Sequence, residues 1–437
     1  MISYSGIPGN NSSPGITVKY IYSACITTSS KDVRILHDPW FSEGIYDGSW
    51  FHFPVVSDPI GSIGDVDLIY VSHVHPDHYD ASFLRKFFAV YGQKKIIIAD
   101  HQPNHLANKM RVDGFEPTIL TEPIRVGSTT IRVLPHCTGS ISDIDSAVII
   151  GYFDGEREHC VVNANDVIFD DDMISMMKEN ASGADILLCG YTGAGPYPQT
   201  YFDTDDPQLL IEAEKKKQSF FERYTRLVSA LNPKVTIPFA GQYLLGGKLA
   251  KLNSFRGVAD ATEVLTIDSK AIVLRDGGAK ISTRDLRPSA VRVQPYSNEE
   301  IQRREQEISA HKFDYERLIA EKEIHQLPLK RLLASAAKKA NEKSECREDY
   351  FFIIKLPDSK LAIINANRDA KPIIKFSTPE VAWEPRSEIS IDPRYLFGLL
   401  TGVYHWNNAE VGSQYQTRRF PNRYNAHAQS FLNYLVV

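Results

Sequence analysis

Through residue 285 the chain alternates between apolar runs and short polar or glycine-containing breaks. The runs include ITVKYIYSACI (16–26), VRILHDP (33–39), DLIYVSH (67–73), KIIIAD (95–100) and TTIRVLPH (129–136). SAVIIGYF (146–153), HCVVNAND (159–166), DILLCGY (185–191) and KVTIPFA (234–240) continue the series. Several are nearly unbroken apolar strings, the pattern of strands covered on both faces. Helical spacing falls between them, at 81–90, 102–112 and 206–231. In the last of these Leu210, Ala213, Phe220, Phe221, Tyr224, Leu227, Val228 and Leu231 recur at i, i+3/i+4. Pro207 near its start and Asn232-Pro233 at its end are boundary signals. Sheets with helices outside them predict an α/β sandwich over 1–285.

The pattern changes after 285. Residues 298–343 are dense in Glu, Lys, Arg and Gln, which predicts one or two solvated helices broken near Leu327-Pro328. We expect 286–345 to be a charged helical linker. Strand character returns in DYFFIIKL, KLAIINA and KPIIKFS, followed by helical PRYLFGLLTG and NRYNAHAQSFLNYL, so 346–437 reads as a small α+β unit.

Composition narrows the function classes. Of 437 residues, 43% are hydrophobic and 24% charged, which excludes wholesale disorder. Lys+Arg 49 against Asp+Glu 54 gives a net charge of −5 and no broad basic surface, so neither nucleic acid nor an anionic membrane is an expected partner. No apolar run reaches the ~18 residues of a membrane span. The polar start, MISYSGIPGNNSSPG, has no signal-peptide pattern. The cysteines (Cys25, Cys137, Cys160, Cys189, Cys346) are odd in number, scattered and without CxxC, which points to a reducing cytoplasm.

The chemistry concentrates in VSHVHPDHYD, where His73, His75, Asp77 and His78 form H-x-H-x-D-H directly after a buried-strand run. Residues i and i+2 of an extended segment point the same way, so His73 and His75 can reach one cation. Pro76 then turns Asp77 and His78 toward a neighbouring position. His136 and Asp166 also stand where apolar strands give way to loops, as a cleft above a sheet requires. Imidazoles with an aspartate and no thiolate suit zinc first, with iron or manganese as alternatives.

These motifs, in the order Asp38 (ILHDPWF), His73–His78, His136 and Asp166, resemble the metallo-β-lactamase superfamily over roughly 15–280. The DPWF box is similar to the branch containing L-ascorbate-6-phosphate lactonase. GYTGAGPYPQTYF, IPFAGQYLLGGKL and HWNNAEVGS resemble the CMP-N-acetylneuraminate hydroxylase-like group. The resemblance implies an αββα fold, one metal on His73, His75 and His136, and a second on Asp77 and His78. It further implies Asp166 bridging them and Asp38 supporting the ligands without binding metal. Phe239 stands where many superfamily hydrolases place a further histidine, so the second site keeps Asp77, His78 and Asp166, with Gln242 or Tyr243 as substitutes, or stays empty. The paired Cys/His ligands of a Rieske domain are not found, so an oxygenase of this kind needs a separate ferredoxin.

The segment 190–201 carries Gly193, Gly195, Tyr191, Tyr197 and Gln199, a set able to hold a phosphate or sugar oxygen. Gln242, Tyr243 and Lys248 are further candidates, with Lys248 as a phosphate partner. His405, Trp406, Asn407, Asn408 and Glu410 are expected to pack, or to supply a second cleft wall across domains. We therefore expect one or two divalent ions, Asp77 orienting water and accepting its proton, and a polar, phosphorylated or nucleotide-linked, sugar-like small-molecule substrate. The alternatives are an iron-dependent hydroxylase of an N-acylated sugar nucleotide and a metal-binding scaffold with a decayed second site.

Overall fold

Two sheets face each other in the computed structural model, which describes residues 15–138, 144–371, 373–377 and 383–437. The polar segment that opens the sequence lies, up to residue 14, outside the described residues. The first sheet runs Ala279–Ser282, Thr17–Tyr22, Cys25–Ser29, Arg34–His37, Leu68–Tyr70, Lys95–Ala99, Thr118–Leu120. The second runs Val235–Phe239, Ile186–Gly190, Glu158–Asn163, Ser146–Phe153, Thr129–Pro135, Ile124–Val126. The period-2 rule sorts their side chains. Leu68, Tyr70, Ile97, Ile186 and Leu188 fill the space between the sheets. Ile69, Ile96 and Ile98 turn outward to the helices Ala81–Tyr91 and His105–Val112. Leu187 and Cys189 turn outward to Asp171–Ala181 and Pro207–Leu231. This is an αββα sandwich, and it explains why the strands read as continuous apolar strings.

Several local expectations change. The run 16–26 is a hairpin, because Ser23 takes a left-handed φ of 49° and splits it into two strands. The helix expected from 102 starts at His105, since Asn104 caps it by accepting from Ala107 N at 2.9 Å. On Pro207–Leu231 the buried residue of the first turns is Leu209, whereas Leu210 faces solvent.

The charged region is also less solvated than its composition suggests. Leu329–Lys343 buries Leu329, Leu333, Ala336, Ala337 and Ala340 in one core with the sheet built from Phe351–Lys355, Leu361–Asn365, Ile374–Ser377, Arg386–Ile391 and Tyr415–Phe420. Its lysines and glutamates occupy the opposite face. That core continues through Trp40, Tyr46, Trp50 and Tyr243 of the segment before residue 286, so the two parts share buried apolar surface. Among the described residues no helix is long and apolar enough to cross a membrane.

Candidate metal centre

Parallel strands put their following loops on one edge. Arg34–His37, Leu68–Tyr70 and Lys95–Ala99 are parallel neighbours, as are Glu158–Asn163, Ile186–Gly190 and Val235–Phe239. Asp38, His73 and Asp166 follow such strands, the position where open α/β sheets carry ligands. One ligand atom each from His73, His78 and Asp166 lies within 4.8 Å of the others. His78 Nε2 is 3.3 Å from Asp166 Oδ2 and 3.5 Å from Asp77 Oδ2. His75 Nδ1 is 2.9 Å from His73 Nε2. The chemistry of this donor set, imidazoles and a carboxylate gathered within 4.8 Å of one another, fits a divalent cation.

Burial sets the electrostatics. It pushes the His73 pKa well down, helped by His78, and so favours the neutral, ligating form. Burial opposes charge on His78 too, but Asp77 and Asp166 outweigh it and raise that pKa. Asp38 organises the group from beneath. It accepts from Ser72 N at 2.7 Å, Ser72 Oγ at 2.8 Å and Asn165 Nδ2, and lies 3.1 Å from His78 Nδ1.

His136 is not brought into this cluster. Its Nε2 lies 2.8 Å from Asp170 Oδ2, while Asp170 Oδ1 caps the helix Asp171–Ala181 through Met173 N. The carboxylate closer to the centre is Asp145, 3.5 Å from His73 Nδ1. Burial and then Asp166 push Asp145 up to about 8. Its only sequence signal was an aspartate just ahead of an apolar strand.

The C-terminal part reaches the centre directly. Asn407 Oδ1 accepts from His75 Nε2 at 3.2 Å, which leaves Nδ1 of that ring to carry the lone pair. Tyr46 OH donates to Asp77 Oδ1 at 2.5 Å. Tyr46 and Asp47 both sit at positive φ, and the turn is held by Gln414 Nε2 on both their carbonyls and by Tyr395 OH on Asp47. At Gly412 a Cβ would stand 2.8 Å from Ser49 Oγ and 3.0 Å from Tyr46 Cβ, so only glycine allows this approach. Asn407→Ala is expected to weaken metal affinity by about tenfold without unfolding the chain. Chelator competition checks this, and unchanged affinity would remove Asn407 from the centre.

The expected binding residues are placed unevenly. Gly195 takes a φ of 103°, and its carbonyl accepts from Gln199 Nε2, which also donates to Ser413 Oγ at 3.0 Å. Tyr197 OH donates to Glu212, and Gln242 Nε2 reaches Asp260 at 3.4 Å. Tyr191 is buried, and Gly193 lies against the Phe220 ring. Tyr243 stacks on Trp50 at 3.4 Å. Phe239 is fully buried between the sheets and supplies no ligand. Lys248, expected to meet a phosphate, is held instead by Glu316 at 3.0 Å and Asp392 at 3.2 Å.

In comparison with known proteins, residues 33–238, just under half of the chain, match the family described as Beta-lactamase superfamily domain. Among curated relatives, a protein of Mycolicibacterium smegmatis named for a Rieske 2Fe-2S iron-sulfur centre is 28% identical over 52% of the chain and 44% of its own length. The cytidine monophosphate-N-acetylneuraminic acid hydroxylase of Pan troglodytes is 25% identical over 52% of the chain and 38% of its own length. The chain thus spans less than half of either relative. The solved structure of a metallo hydrolase from Ignicoccus hospitalis is 17% identical, covering 61% of this chain and 98% of that one, with a TM-score of 0.42.

Proposed function

We propose that the chain is a metal-dependent hydrolase of a polar, phosphorylated or nucleotide-linked, sugar-like substrate. The convergence of His73, His78 and Asp166 carries this reading, with His75 and Asp77 beside them. A divalent cation there, zinc before iron or manganese, supplies Lewis-acid polarisation and acidifies water. The chain does the rest. Tyr46 and His78 fix the Asp77 carboxylate, which orients the attacking water and accepts its proton. The water oxygen bonds to the carbonyl carbon or phosphorus, and the leaving group departs with the proton that Asp77 took up. Asp166 holds the far side of the cluster.

The second reading is iron-dependent hydroxylation with electrons from a separate ferredoxin, and the likeness to the N-acetylneuraminic acid hydroxylases favours it. Elemental analysis of aerobically purified protein, run with turnover assays with and without reductant, separates the two. Zinc or manganese with reductant-independent turnover supports hydrolysis. Iron with reductant-dependent oxygen uptake supports hydroxylation. Absent metal and absent turnover together would leave the decayed-site scaffold.

A further inference from the structure

A buried guanidinium lies beyond the metal cluster with most of its hydrogen-bonding capacity unused. Arg256 is 5% exposed, and its Nη2 donates to the Tyr243 carbonyl at 2.7 Å. Its Nε and Nη1 make no hydrogen bond of good geometry, although the guanidinium also lies against the Tyr243 hydroxyl. Its charge rests over the Tyr243 ring, 4.2 Å from the centroid, and among the described residues no carboxylate pairs with it. Leaving a buried charge uncompensated is costly, so the arrangement calls for a counter-ion. Lys216, half-buried on the neighbouring helix, is a second cation close to Arg256. Burial, with repulsion from Arg256, pulls its amine down to about 7, and among the described residues it too lacks an acidic partner. Thr192 Oγ1 is buried and unpartnered as well.

Close approaches of backbone bring the segments that carry these groups together. At Gly257 a Cβ would stand 2.3 Å from the Ala213 carbonyl, so the turn after Arg256 is pressed onto the helix Pro207–Leu231. At Gly193 a Cβ would stand 1.9 Å from the Phe220 ring, so the loop bearing Thr192 covers the same helix two turns later. Lys216 lies between them on that face, because 213, 216 and 220 follow i, i+3, i+7. Gly241 closes the circuit: a Cβ there would stand 2.6 Å from Thr192 Cγ2, two residues before the Tyr243 that holds Arg256. From Tyr243 the aromatic series Trp50 and Tyr46 leads to Asp77.

We propose that Arg256, Lys216 and Thr192 form a subsite for a phosphate group of the substrate, linked to the metal centre through the Tyr243, Trp50 and Tyr46 rings. A purely structural role for Arg256 accounts for Nη2 and the ring contact, but leaves Nε, Nη1 and Lys216 uncompensated. A tetrahedral dianion offers acceptors to a guanidinium fork, an ammonium and a hydroxyl together. The subsite rests on the reading of the chain as an enzyme acting on a phosphorylated or nucleotide-linked substrate, and it replaces Lys248 in that role.

The test is calorimetric titration of inorganic phosphate into the full chain, both metal-loaded and chelator-treated. Saturable binding is expected in both forms, and Lys216→Met and Arg256→Gln are each expected to weaken it by about tenfold or more. Lys216→Met is the decisive variant, since it keeps side-chain length and removes the charge. Phosphate should raise the melting temperature of the parent chain and not that of Lys216→Met. No saturable binding, binding that disappears with the metal, or binding indifferent to Lys216→Met overturns the subsite. The hydrolase reading fails on a different measurement: absent reductant-independent turnover with phosphate binding intact rejects the reaction and leaves the anion site standing.

Discussion

Replacing His73 or His78 with alanine is expected to empty the cation site and to lower turnover by roughly a thousandfold or more, with the chain still folded. Both rings are about 1% exposed, yet neither is part of the apolar core. Their surroundings are Ser72, Asp38, Asp77, Asp145 and Asp166, a set of acceptors gathered around two imidazoles. Deleting His73 removes one donor to the cation and breaks the contact that aligns His75. Deleting His78 does more, because Asp38, Asp77 and Asp166 all approach that ring. His78→Ala should therefore be the less stable of the two when metal is withheld, and metal should restore little of that loss. Elemental analysis with far-ultraviolet circular dichroism checks both statements. Stoichiometric metal in either variant with native circular dichroism refutes the ligand assignment.

Much of the sandwich was legible because its strands are covered on both faces, so apolar runs such as KIIIAD and DILLCGY carry the signal without alternation. Asp171–Ala181 was not legible, since DDMISMMKENA offers only Met173, Met177 and Ala181 as a buried face. Leu329–Lys343 was hidden by its charges, although its alanines are the inner face of the C-terminal core. At the centre, His73, His75, Asp77 and His78 could be read because they are adjacent in sequence and their spacing fits one cation. Tyr46 could not be assigned to it, and Asn407 only as one member of a possible second cleft wall. Tyr46 depends on a left-handed turn, and Asn407 lies 332 residues from the histidine it meets. The phosphate candidate shows the same limit. GGK drew attention to Lys248, whose charge is balanced on the surface, whereas the approach of half-buried Lys216 to buried Arg256 exists only once the glycine contacts have formed.

Asp38 is the position where stability and metal binding should separate most cleanly. It is fully buried, and four groups converge on its carboxylate: Ser72 N, Ser72 Oγ, Asn165 Nδ2 and His78 Nδ1. Its φ of 40° is a left-handed conformation that Asp and Asn tolerate better than other side chains with a Cβ. Asp38→Ala leaves these donors buried without an acceptor and adds backbone strain, so a loss of about 3–5 kcal/mol is expected. Asp38→Asn keeps the conformation and one oxygen, but turns an amide toward donors that need an acceptor. Its expected effect is a ten- to hundredfold loss of metal affinity, roughly, with a smaller loss of stability. Denaturant unfolding of chelator-treated protein measures the first quantity, and chelator competition the second. Equal metal affinity in Asp38→Asn and the parent chain would show that the carboxylate holds the loop and not the orientation of His78. In that case the centre's geometry would have to come from Asp77 and Asp166 alone.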